Sequence, residues 1–167
     1  MRIPRIGFFA VLFGFALCIA SVFARPAFAV EPIVGTWKLV SWVFEDVESH
    51  EQKQPFGQHP KGQLIFTPEN RTMALITAME RRGGDSDADR AKSFMTMFAV
   101  AGKYRVDGSK YVLTVEIASS PALVGAVQSR EFKIEGNRLT IVAAPMAVAL
   151  MNDHMTRITA VYERVTQ

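Results

Sequence analysis

The sequence predicts an all-β domain, an eight-stranded antiparallel up-and-down β-barrel with one short helix, behind an N-terminal signal peptide. Three observations predict it. Eight short runs rich in β-branched and aromatic residues follow one another, separated by turn residues. Most separators are of hairpin size, so neighbouring runs should pair antiparallel, and closing such a meander removes its exposed edges. The first 29 residues, by contrast, carry a basic start, an apolar middle and a small-residue exit.

Taken in order, the N-terminal segment opens with Met1, Arg2 and Arg5, runs uncharged from Ile6 to Ala24 and ends in Ala27-Phe28-Ala29. Cleavage after Ala29 would start the mature chain at Val30, giving a signal peptide over 1–29 and one barrel domain over 30–167. Ile6 to Phe23 is also about the minimum bilayer span, so a retained anchor is the competing reading. The Ala-x-Ala exit favours cleavage and no stable membrane span afterwards, which predicts a periplasmic or secreted protein.

The strand candidates follow. Trp37 to Phe44 is aromatic and β-branched; Gly62 to Thr67 and Arg71 to Met79 flank the turn Pro68-Glu69-Asn70. Ser86 can cap a helix, Asp87 and Asp89 suit its first turn, and Phe94, Met97 and Phe98 follow at helical spacing, which predicts a helix from Ser86 to about Ala99. Lys103 to Val106 and Lys110 to Ala118 flank Asp107-Gly108-Ser109, and Asp-Gly is a strong hairpin signal. Ala126 to Ile134 and Arg138 to Ala143 flank Glu135-Gly136-Asn137. Ala143 to Leu150 is apolar but contains Pro145, and reads as a loop or helical turn over the mouth; Thr156 to Val165 closes the chain.

Charge and cysteine usage narrow the function. Residues 1–29 hold three of the 19 basic side chains (Arg2, Arg5, Arg25) and no acid, which leaves 16 bases against 16 acids in the mature chain. A neutral surface argues against nucleic acid as a partner, because phosphate binding needs unbalanced Lys and Arg. The single cysteine, Cys18, sits in the apolar segment, so the mature domain has no disulfide, thiol nucleophile or cysteine metal site. No hydrolase, zinc, P-loop or dinucleotide fingerprint occurs, and no cofactor is expected. His50, His59 and His154 stand apart in sequence, and Met146, Met151, His154 and Met155 are too irregularly spaced for a copper(I) site, so no metal is expected.

A family resemblance comes from several separated motifs. Gly35-Thr36-Trp37 looks like the G-x-W signature of lipocalins. Pro55-Phe56-Gly57 is followed by the run Pro60 to Pro68 (PKGQLIFTP). Then come Ala101-Gly102-Lys103-Tyr104, Val124-Gly125 with Arg130-Glu131-Phe132, and the closing Ile158 to Arg164 (ITAVYER). Together they resemble the bacterial and fungal lipocalin-like domain family over nearly all of residues 33–165. The resemblance implies an eight-stranded lipocalin-like barrel and assigns no activity. The chain departs from the family pattern at Glu69-Asn70, where Asp-Gly is common, and at Leu113-Thr114, where a histidine is frequent.

The resemblance also implies that Trp37 points inward, with Gly35 beside it and Arg164 from the last strand stacked on the indole to close one end of the barrel. Alternation then turns Leu39, Ser41 and Val43 inward, and Lys38, Val40 and Trp42 outward. Solvation of Lys103 and Arg105 turns Tyr104 inward. Glu131 and Lys133 should face water, which places Gln128, Arg130, Phe132 and Ile134 on the apolar side. A guanidinium there needs a counter-charge, and Glu116 on the neighbouring strand is the expected one, although Val115 and Ile117 offer a competing apolar phase that would turn it out. Tyr104, Glu116, Gln128 and Arg130 are therefore the candidate ligand-binding set. The function expected is binding of a small apolar or amphipathic ligand inside the barrel. The alternatives are a cyclase or isomerase using Arg130, Glu116 and Tyr104, and a filled barrel with only a structural or interaction role.

Overall fold

The computed structural model describes residues 32–81 and 83–166. The expected signal peptide over 1–29 and its cleavage site lie outside the described residues. The elements are β1 (Gly35–Asp46), β2 (Gln52–Lys53), β3 (Lys61–Phe66), β4 (Arg71–Thr77), α1 (Asp87–Met95), β5 (Met97–Asp107), β6 (Lys110–Ala118), β7 (Val127–Glu135), β8 (Arg138–Ala147) and β9 (Met155–Arg164). Strands β3 to β9 pair in sequence order, β1 pairs with β3 on one side and β9 on the other, and all pairs are antiparallel. This is a closed eight-stranded up-and-down barrel, with two-residue β2 as an appendage on β1. Among the described residues no helix is long and apolar enough to cross a membrane.

Local chemistry sets the turns. Gly108 and Gly136 take the left-handed conformation in their hairpins, and Asn70 takes it between β3 and β4, where an asparagine can do what glycine does elsewhere. The helix begins as expected, with the Ser86 hydroxyl accepting from the Asp89 amide. It ends earlier than expected. Met97, Phe98 and Ala99 belong to β5, where they pair with Thr77, Ile76 and Leu75 and extend the barrel wall. Tertiary pairing here outweighs helical spacing. Strand β8 likewise runs on to Ala147, tolerating Pro145 at a bulge between Ala143 and Met146.

Bulges also reset which face each residue presents. In β1, Leu39 pairs with Tyr162 but Ser41 with Val161, so Val40 is an extra residue. The alternation expected for this strand is therefore corrected beyond Leu39. Trp42 and Phe44 turn into the core, while Ser41 and Val43 leave it. Trp42 packs against Phe44, Phe56 and Phe98 with ring centroids 4.9, 4.7 and 5.4 Å away, forming an aromatic plug at the barrel end away from Trp37. Phe66, which pairs with Gly35 beside the Trp37 end, packs edge to face on Tyr104 at 4.8 Å.

Candidate functional site

One polar cluster lies within the apolar lumen. Arg130 on β7 sits opposite Tyr111 on β6 and Ala143 on β8. Its strand alternates strictly, with Ser129, Glu131 and Lys133 exposed and Gln128, Arg130, Phe132 and Ile134 on the covered side. Arg130, Tyr111, Tyr162 and Thr72 line a central cavity of about 30 Å³, together with Trp42, Leu113 and other apolar side chains. The only hydrogen bond to Arg130 among the described residues runs from Nη2 to Gln128 Oε1, 2.6 Å. Its Nε is fully buried without a partner, and so is Thr72 Oγ1. No carboxylate of the described residues comes within ion-pairing distance of the guanidinium.

The two tyrosines are held as neutral phenols. Burial raises the hydroxyls of both Tyr111 and Tyr162 above the usual phenol value, against a smaller opposing pull from the Arg130 charge. Among the described residues that line the cavity there is no Asp, Glu, His, Cys or Lys. Its polar groups can thus offer a positive charge and several donors at neutral pH, but no base. Such a set can hold an anionic or carbonyl oxygen and polarise it.

The expected four-residue cluster is only partly assembled. Arg130 and Gln128 meet. Tyr104 is buried on the inner side, but its hydroxyl donates to the Thr67 carbonyl at 3.0 Å and it does not line the cavity. The pairing of Glu116 with Arg130 is corrected. Ala101 pairs with Ile117 but Gly102 with Val115, so Glu116 is the extra residue of a bulge and lies on the outer wall. There it meets Arg71 at 2.6 Å and Lys103 at 3.9 Å, and the Arg71 hydrogen bond holds its carboxyl below the usual range. The acid–base trio of the cyclase or isomerase alternative therefore does not come together. Tyr111, Tyr162 and Trp42 were not anticipated. The Tyr111, Leu113, Val115 alternation carried the signal for the first, and Ile158, Ala160, Tyr162 for the second.

The opposite end is sealed by Trp37. Its ring is fully buried, its Nε1 donates to the Ile33 carbonyl at 2.8 Å, and the Arg164 guanidinium lies 4.0 Å from the ring centroid. Arg164 also donates to the carbonyls of Val34 and Pro32, at 2.9 and 2.6 Å. Gly35 has φ +138°, and a Cβ there would lie 2.7 Å from Arg164 Nη1, so only glycine admits this stack. At the plug end, buried Asp46 accepts from the Ser49 and Glu48 amides at 2.8 and 2.9 Å and meets His154 Nδ1 at 2.6 Å. The Ser49 amide, and after it His154, hold the Asp46 carboxyl far below the usual carboxylate range. His154 Nδ1 is thereby committed to Asp46, and Met151 is buried in the core. Among the described residues no cluster of three His, Cys, Asp or Glu residues could hold a metal ion.

A closed up-and-down barrel, sealed at one end by a Trp–Arg stack, has the architecture of the lipocalin class. A family model described as lipocalin-like domain matches residues 34–165, and the chain belongs to that family. Among curated proteins, none matches it.

Proposed function

We propose that the protein is an exported carrier that binds a small amphipathic ligand in the barrel, with the ligand's anionic or carbonyl head at Arg130. The observation that carries this reading is a guanidinium in an apolar lumen without a counter-charge, beside two neutral phenols. Leaving a half-buried charge unpaired is unfavourable, and a bound head group with a negative oxygen offsets that cost. The apolar tail would displace Trp42 and Phe98, which line the cavity on its plug side and reach it from β1 and β5. Export rests on the basic, apolar and Ala-x-Ala pattern of residues 1–29, with the periplasm or the medium as destination.

The resting cavity favours one other reading, a barrel filled by its own side chains. About 30 Å³ holds a water or two, whereas pockets for organic ligands run to roughly 300 Å³ or more. Titration with decanoate, a single-chain carboxylate, separates the two. Trp42 and Arg130 line the same cavity, so Trp42 fluorescence should change saturably. Arg130→Lys should weaken binding about tenfold or more, because the two-pronged guanidinium geometry is lost. An unchanged spectrum with decanoate would favour the filled barrel.

A further inference from the structure

We infer that the unliganded barrel holds a single halide-sized anion, physiologically chloride, in the central cavity against Arg130. The cavity is about 30 Å³, enough for a water or two and so for one monatomic anion. Two buried polar atoms without a partner, Arg130 Nε and Thr72 Oγ1, belong to residues lining this same cavity from β7 and β4. Tyr111 and Tyr162 add two hydroxyls from β6 and β9. Four strands thus bring one cation and three hydroxyl donors to one small space.

The choice of an anion over water rests on charge. Water could satisfy Nε and Oγ1, but it would leave the guanidinium uncompensated. Gln128 Oε1, the one acceptor bonded to Arg130, is neutral. The nearby carboxylates are engaged on the outer wall, Glu116 with Arg71 at 2.6 Å and Glu131 with Lys110 at 3.3 Å. The Arg130 side chain is half-buried, its Nε is buried, and it has no counter-charge among the described residues; a monovalent anion offsets that charge with a single occupant. An organic head group would then bind by exchange, displacing the halide from the same donors.

Thermal melting of the folded protein in sodium chloride against sodium gluconate, at fixed ionic strength, tests the inference. Gluconate is too large for the cavity. Above the dissociation constant, the melting temperature should rise by about 4–6 °C per tenfold increase in chloride. The rise should vanish in Arg130→Met. Should that variant fail to fold, Tyr111→Phe and Thr72→Val should each shift the chloride midpoint upward several-fold. Bromide-soaked crystals of the wild-type protein should show an anomalous peak beside Arg130. Equal melting curves in the two salts, or bromide only at outer-wall lysines (an adventitious ion only), would overturn it. The inference stands apart from the carrier reading: chloride dependence without decanoate binding would retain the halide and remove the carrier.

Discussion

Single residues carry the sealed end of the barrel and one acid-sensitive contact. Trp37 is fully buried, hydrogen-bonded and stacked, so Trp37→Ala should cost about 3–5 kcal/mol in denaturant unfolding, as loss of a buried aromatic does. Gly35→Ala should cost about 1–3 kcal/mol, because its positive φ and the neighbouring Arg164 Nη1 both exclude a side chain. Asp46 sets a pH dependence of known sign. Its carboxyl is depressed in the folded state, so its contribution is complete above about pH 4 and fades as pH falls through the lower folded value. Asp46→Asn should melt lower at neutral pH and show a flatter loss of stability below pH 4. Parallel acid melts of the two proteins check this.

At the scale of elements, the bulges mark where sequence reading held and where it broke. Hairpin turns at Asp107-Gly108 and Gly136-Asn137 were legible because their chemistry is local. The inward phase of Gln128, Arg130 and Phe132 was legible because β7 alternates without interruption. The phases of Trp42 and Glu116 were not. Val40 and Glu116 are each one unmatched residue, and one extra residue reverses every side chain beyond it. Nothing in the local composition of LVSW or TVEI announces that step, because it is set by the partner strand. The bulge at Glu116 has a visible device in Gly102, where a Cβ would collide with the Thr114 carbonyl oxygen. Gly102→Val should therefore force β5 and β6 apart, seen as faster amide exchange from Leu113 to Glu116 and a lower melting temperature. Glu116→Gln, by contrast, loses only outer-wall pairing and should leave melting and decanoate titration nearly unchanged.

For the whole molecule, closure of eight strands gives a lumen packed almost to completion, with an unmet electrostatic demand at Arg130 among the described residues. Fold and family were within reach of the sequence, since motif order and turn chemistry survive an error of phase. The lumen was not, because it depends on which side chains four separate strands turn toward one point. The proposed export has its own check: N-terminal sequencing of the exported protein should begin at Val30, and retention of Met1 in a membrane fraction would contradict it. The central claim is that Arg130 receives the head group of a carried ligand. Its most direct measurement is native mass spectrometry of wild-type protein and Arg130→Met, both purified from the protein's own host. The account predicts an added mass from an acidic or carbonyl-bearing amphiphile on the wild type, absent or much reduced on the variant. An empty wild-type barrel, or the same ligand load on both proteins, would contradict it.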